Sequence, residues 1–264
     1  MIRRTSPAVA VALAATMALV GCSAPKAPST SPSESATSKA LSTGLPKPTR
    51  TPAGSSAAPA APTAPISAPA TSTVATAAVS SVAVASSPGG PTTTTLPNPQ
   101  TNGSPLVFQV VGKQDGWVHV ALAQRPNGST GWVRSSAVTL ATTSYALVAT
   151  TESNSLVLYR DGAAQRTFRV ATGTGGTPTP HGSFFLTELL APTNAGYGPY
   201  AYGLSAFSDV LNSFGGGPGQ IGLHGTEDAS SIGTAASHGC IRMQNDDISV
   251  LAKLLPLGTP IQIR

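Results

Sequence analysis

One thiol and two histidines occupy the positions of this chain best suited to chemistry. Cys240 sits in Ser237-His238-Gly239-Cys240-Ile241-Arg242-Met243, and His224 precedes it in Ile221-Gly222-Leu223-His224-Gly225-Thr226. At its ordinary pKa a cysteine is only a few per cent thiolate at neutral pH, so a nucleophilic thiol needs a base or a cation beside it. His224 is the candidate base, because an apolar run followed by a glycine turn reads as a strand ending at a cleft. Gly239 permits close backbone approach, which makes its amide and that of Cys240 candidate oxyanion donors. Nucleophile, base and oxyanion donors are the minimum for acyl transfer through a thioester. Three other readings stay open at this point. Cys240 can be a small buried hydrophobe and His224 a hydrogen-bonded core histidine. His224, His238 and Cys240 can be ligands of a catalytic zinc, although their spacing is no strong zinc signature. His238 can be the structural partner of a neighbouring carbonyl.

The N-terminus bears on which reading applies. Arg3 and Arg4 precede an apolar stretch at 8–20 that is short for a membrane span and reads as an export signal. It ends in Leu19-Val20-Gly21-Cys22, which resembles the lipobox of bacterial lipoproteins, with Cys22 as the lipidated residue after processing. An ordinary cleaved signal is the alternative. Either way the mature chain is extracytoplasmic, where exported proteins normally pair their cysteines. With two cysteines in all and Cys22 lipidated or lost, Cys240 has no intramolecular partner, and a leftover thiol in an exported chain points to a reactive group or an intermolecular disulfide.

Around these residues the composition divides sharply. From 23 to 104 the chain is mostly Ala, Pro, Ser and Thr without an aromatic residue, and no charge occurs from 51 to 112. Such a composition predicts a disordered tether, too poor in apolar bulk to offset its ordering entropy. It would reach roughly 50 Å as a flexible coil. Folding capacity is therefore expected from Phe108 onward. In 105–140, Gly116-Trp117-Val118-His119-Val120 and Gly131-Trp132-Val133 repeat a strand signature around Arg125-Pro126-Asn127-Gly128. This stretch resembles a small bacterial SH3-like β-module; an N-terminal extension of the following domain's sheet is the alternative.

The segment 144–264 must position the thiol. Strands are expected at 145–151, 156–159, 167–172, 184–187 and 259–263, as an antiparallel meander followed by further strands. The glycine-rich run 173–182 lacks the Lys-Ser/Thr ending of a phosphate loop and reads as turn chemistry. The Gly- and Tyr-rich stretch 191–220 is expected to be a long loop and a candidate substrate lid. One helix is expected near the end. Asn245, Asp246 and Asp247 supply its cap and first-turn acids, Ile248, Leu251, Leu254 and Leu255 share one face, and Pro256 and Gly258 stop it. The resulting class is mainly β with one or two helices.

The segments His224-Gly225-Thr226 and Ser237-His238-Gly239-Cys240-Ile241-Arg242-Met243 together resemble the signature of the YkuD-type L,D-transpeptidases. Thr177-Pro178-Thr179-Pro180 ahead of Gly182 and Phe184, and Leu257-Gly258-Thr259-Pro260 before the last strand, are similar to that family as well. The resemblance covers about 144–264 and implies a YkuD-like β-sandwich behind a lipoprotein signal (1–22), tether (23–104) and β-module (105–140). It implies that Cys240 attacks a peptidoglycan stem tetrapeptide, releases its terminal D-alanine and passes the acyl group to another stem's amine, giving a 3→3 cross-link. By residue-wise transfer His224 is base and acid, the carbonyl of Gly225 orients the imidazole, and Ser237, His238 and Arg242 lie near the substrate. Some members carry Asn where this chain has Arg242, which leaves the contacts of that position open. No metal or cofactor is implied, and family members are typically acylated by carbapenems.

The formal net charge of +5 suits an anionic wall and is too dilute for nucleic acid. The expected partners are stem peptides and, through the lipid, the bacterial cell membrane. Two other functions are compatible with the residues: an L,D-carboxypeptidase, in which water resolves the thioester, and a non-catalytic wall-binding lipoprotein.

Overall fold

The computed structural model describes residues 67–214 and 216–264, which lie within a compact unit running from Ala60 to Arg264. The signal-like segment 1–22 with Cys22, and the expected tether from 23 to 66, fall outside the described residues.

The remainder of the expected tether is folded. Strands β1 (Ser72–Ala77), β2 (Ser81–Ala85) and β3 (Thr92–Pro97) join β4 (Val107–Gln114), β5 (Trp117–Ala121), β6 (Thr130–Arg134) and β7 (Val138–Thr143). They form a seven-stranded sheet in the order β3-β2-β6-β5-β4-β1-β7. The β-module therefore begins near Ser72 and not at 105, and it has a sheet of its own. Composition misled here for a physical reason. Val82, Val84 and Ala75 are small, yet they close over Phe108, Val118, Val120 and Val133 in one buried cluster. Strands of Val, Ala and Thr need no aromatic residue when a neighbouring strand supplies one. β1 is central to the arrangement: it pairs with β4 on one side and along its whole length with β7 on the other.

The second half contains β8 (Tyr145–Thr150), β9 (Ser155–Arg160), β10 (Ala163–Arg169), β11 (Thr172–Gly173), β12 (Gly182–Leu190), β13 (Ala201–Phe207), β14 (Gln220–His224), β15 (Ala235–Ser237), β16 (Ile241–Arg242), α1 (Asn245–Leu254) and β17 (Pro260–Ile263). β8, β9 and β10 are the expected antiparallel meander. Eight strands order as β10-β9-β8-β17-β12-β13-β14-β16, and β11 pairs separately with β15. β12 turns this array into two layers. Its first half, from Gly182 to Phe185, pairs with β17, and from Leu186 onward it pairs with β13 through a register shift. A strand that changes sheets at an irregularity makes the corner of a sandwich. Leu147, Leu158, Phe184, Leu204, Leu223 and Ile261, with Ile248 and Leu251 of α1, fill one core between the layers.

Two expectations change. The stretch 191–220 is not continuous loop, because β13 crosses it. β13 is a central strand buried on both faces, so it shows no polar alternation, and Gly203 weakens its strand signal further. At the helix start, Gln244 occupies the cap position without a side-chain cap bond. The Asn245 side chain instead accepts from the Thr226 amide at 2.9 Å, tying α1 to the turn after His224. At the far end, the Tyr202 hydroxyl reaches the carbonyls of Leu251 and Leu255 at 3.1 and 3.0 Å, anchoring β13 to the C-terminal end of α1, where the Leu251 carbonyl also accepts the Leu255 amide.

The module packs on the sandwich through Val74, Val107 and Phe185, flanked by Ala121 and Leu257. Gly258, at φ +84°, allows this approach, since a Cβ there would overlap Val74. Removing β1–β3 therefore strips both the module core and this contact. A chain that begins at Pro105 is expected to melt at least about 10 °C below one that begins at Ala60, or to fail to fold. Equal melting temperatures by calorimetry would show that β1–β3 are dispensable.

Candidate active site

The site is built on the parallel pairing of β14 with β16. Leu223 stands opposite Ile241 and His224 opposite Arg242, so the residues just before each pair, Gly222 and Cys240, are also neighbours. The Gly222 amide donates to the Cys240 sulfur at 3.3 Å. A side chain at Gly222 would project between the reacting candidates: its Cβ would lie 3.4 Å from His224 Cδ2 and 3.7 Å from Cys240 Sγ. Glycine leaves that space open, and residues two apart on a strand face the same way. The imidazole and the sulfur thus share one side of β14.

His224 is 3% exposed. Its Nδ1 lies 2.6 Å from the carbonyl of Gly225. Because a carbonyl only accepts, Nδ1 carries the proton and Nε2 keeps its lone pair. The Tyr197 ring lies against the imidazole, centroids 4.6 Å apart and tilted by 44°. Burial lowers the His224 pKa from 6.5 to about 4; the Gly225 carbonyl opposes this and the Arg242 charge adds to it. Burial pushes the Cys240 thiol up, while the Gly222 amide and Arg242 pull it back. Thiol and imidazole are accordingly both neutral at rest, and an attack by sulfur requires its proton to move to Nε2 as the bond forms.

The turn carrying Cys240 is held from inside and from behind. The Ser237 hydroxyl donates to the Cys240 carbonyl at 2.5 Å and accepts from the Gly239 amide at 3.1 Å. Ser237, expected near substrate, is 1% exposed and spends its hydroxyl on the turn. The Gly239 amide, expected as an oxyanion donor, is engaged by that same hydroxyl. Gly239 itself adopts φ +121°, a conformation suited to glycine. Behind the turn, Thr179 Oγ1 donates to the Gly239 carbonyl at 2.9 Å and accepts from the Gly173 amide at 2.8 Å, and the Thr174 amide donates to the Ser237 carbonyl at 2.9 Å. The glycine-rich run 173–182 is therefore the brace of the cysteine turn.

His238 is exposed and stacks on Phe214, centroids 5.1 Å apart. Arg242 is half-buried and, among the described residues, has no carboxylate within 4 Å. Two depressions meet at the sulfur. One, of about 280 Å³, is lined by Glu188, Tyr202 and Gln220; the other, of about 170 Å³, by Gly196, His238 and Arg242. Tyr197, Phe214, His224 and Cys240 border both. Among the described residues no three His, Cys, Asp or Glu side chains are placed to hold a metal. Sequence reasoning named His224, Cys240, His238 and Arg242, which the fold brings to this cleft. Gly222, Thr179 and Asn245 were not expected at the site: Asn245 read as a helix cap and Thr179 as part of a turn-rich run, while Gly222 lies two positions before His224 on the same strand.

The family model for the L,D-transpeptidase catalytic domain of YkuD type matches residues 143–263. The match spans a little under half of the chain and makes this segment similar to that catalytic domain. Over 119 residues the chain is 33% identical to a protein named L,D-transpeptidase YkuD from Bacillus licheniformis, covering 45% of this chain and 65% of the relative. It is 31% identical to the Bacillus subtilis protein of the same name, with the same coverage. The chain thus spans slightly less than two thirds of the length of these relatives. Among solved structures, L,D-transpeptidase 3 from Mycobacterium tuberculosis, in complex with a faropenem-derived adduct, superposes with a TM-score of 0.41 at 15% identity, covering 59% of this chain and 78% of that one.

The burial of His224 has a consequence for stability. In the unfolded chain His224 takes up its proton near pH 6.5, but in the fold only near pH 4. Between those values the unfolded chain binds more protons, so stability is lost as pH falls through that window, by on the order of 3 kcal/mol. His224→Gln is expected to flatten the fall in melting temperature between pH 6.5 and 4. Parallel pH profiles for the variant and the wild type would overturn this assignment.

Proposed function

We propose that the chain is a peptidoglycan L,D-transpeptidase that acts outside the cytoplasm, with Cys240 as nucleophile and His224 as base. The observation that carries this is the placement of the thiol and the free face of a neutral, carbonyl-oriented imidazole on one side of β14, joined across Gly222. The proton of Cys240 passes to His224 Nε2 while the sulfur attacks the carbonyl between the third and fourth residues of a stem tetrapeptide. The imidazolium is stabilised through Nδ1–H by the Gly225 carbonyl. It then protonates the departing amine, and D-alanine leaves with the carbonyl in a thioester. The amine of a second stem's diamino acid attacks the thioester, loses its proton to Nε2, and expels the thiolate, which regains the proton. The product is a 3→3 cross-link.

The Cys240 amide remains the candidate oxyanion donor, since Gly239 is engaged by Ser237. Arg242, half-buried and without a carboxylate partner among the described residues, supplies a fork for a substrate carboxylate. Two depressions meeting at the sulfur give room for a donor on one side and an acceptor on the other. The export signal at 1–22 and a lipid on Cys22 deliver the enzyme to the wall.

The test is intact-mass analysis of the full chain after exposure to a carbapenem, followed by incubation with stem tetrapeptide. A single adduct is expected on the wild type and none on Cys240→Ala, whose fold is retained. His224→Gln is expected to acylate about 10²- to 10⁴-fold more slowly. Tetrapeptide is expected to yield dimers with loss of one D-alanine. An adduct on Cys240→Ala, or none on folded, reduced wild type, would defeat the nucleophile assignment. Tripeptide without dimers would make the enzyme a carboxypeptidase.

A further inference from the structure

We infer that Arg125 and Asn127 of the β-module are positioning residues for the cleft: they clasp the arms 208–214 and 216–219 and thereby set Phe214 at the cleft that holds the thiol. This rests on the reading of Cys240 and His224 as the reaction centre. Arg125 and Asn127 lie in the turn between β5 and β6, far along the chain from the sandwich, yet their side chains are bonded to it. Arg125 Nη1 donates to the carbonyl of Ser208 at 2.6 Å, and Nη2 donates to those of Leu211 and Pro218 at 2.8 and 3.2 Å. Asn127 Nδ2 donates to the Phe207 carbonyl at 2.7 Å and its Oδ1 accepts from the Phe207 amide at 2.8 Å. Nδ2 also reaches Asp209 Oδ1 at 3.2 Å. The guanidinium lies over the Phe207 ring, 5.3 Å from its centroid.

These bonds hold both arms of one loop. Ser208 and Leu211 are on its outgoing arm and Pro218 on its return. The arms are joined at the base by the Ser208 amide donating to the Gly219 carbonyl at 2.8 Å, and near the tip by the mutual bonds of Phe214 and Gly217 at 3.0 and 2.9 Å. Gly219, at φ +73°, leaves no room for a Cβ against the Leu211 carbonyl. The arms are thus drawn together where Arg125 enters. At the tip, Phe214 is 44% exposed. It stacks on His238 and borders both depressions at Cys240. A planar fork that meets three carbonyls at once cannot be copied by the single point donor of lysine.

A loop held this way shapes the entrance to the cleft without touching the reacting atoms, so its loosening is expected in KM and not in kcat. The test compares the full chain with Arg125→Ala, Arg125→Lys, Phe214→Ala and the double variant Arg125→Ala with Phe214→Ala. By hydrogen exchange, Arg125→Ala is expected to speed amide exchange in 208–219 about tenfold and leave β8 and β9 unchanged. Arg125→Lys is expected to behave like Arg125→Ala. With stem tetrapeptide, Arg125→Ala is expected to raise KM about tenfold at a kcat within about twofold, and to add little in the Phe214→Ala background. Four results would overturn the inference: unchanged exchange in 208–219, faster exchange throughout the fold, full recovery with lysine, or additive effects in the double variant. If the wild type turns over no tetrapeptide, the transpeptidase reading fails, and the exchange measurements still decide whether the clasp exists.

Discussion

The site depends on one backbone contact, the Gly222 amide directed at the Cys240 sulfur at 3.3 Å. It exists because β14 and β16 pair in parallel with Leu223 opposite Ile241, and because position 222 has no side chain to intervene. The same register sets His224 and the thiol on a common face. A shift of one residue would turn the sulfur to the opposite face of the sheet, because strand side chains alternate with a period of two. The bracing around the turn serves this registration. Ser237 closes it from within, Thr179 holds it from the glycine-rich run, and Asn245 binds the turn after His224 to α1.

Burial sets the electrostatics of the pair. It lowers the basicity of His224 and raises the pKa of Cys240, so a resting thiolate–imidazolium pair is disfavoured in both partners. A neutral pair keeps a buried site free of uncompensated charge, and in the proposed reaction ionisation waits until a substrate carbonyl can receive the electrons. The Gly225 carbonyl then matters twice, fixing the tautomer at rest and stabilising Nδ1–H when the ring is charged. Arg242 adds to the effect of burial on His224 and offsets part of it on Cys240, whose pKa stays raised.

The β-module is joined to the sandwich by two different kinds of contact. Val74 and Val107 meet Phe185 in a dry patch made possible by Gly258, while Arg125 and Asn127 reach backbone groups of the loop beside the cleft. The first contributes hydrophobic burial, which is indifferent to orientation. The second is directional, and it ends at the loop that carries Phe214. Together they make the module part of the architecture around the thiol.

The sequence by itself determined the local features: the meander of β8–β10, the helix from the spacing of Ile248 and Leu251, and the candidate pair His224 and Cys240 from residue type and motif. Strands such as Leu156–Tyr159 were legible because β-formers sit between turn residues, and the helix because its apolar face repeats. β1–β3 were not, since Val, Ala and Thr acquire a core only when Phe108 and Val118 lie against them. β13 was hidden because a strand buried on both faces shows no alternation. The partners of Ser237, Thr179, Asn245 and Arg125 were likewise invisible. Each is a hydroxyl, amide or guanidinium whose bond is satisfied by backbone brought close in space, often far along the chain. Only the tertiary structure decided those pairings, because a hydrogen bond is fixed by distance and direction in three dimensions, which one-dimensional spacing does not encode.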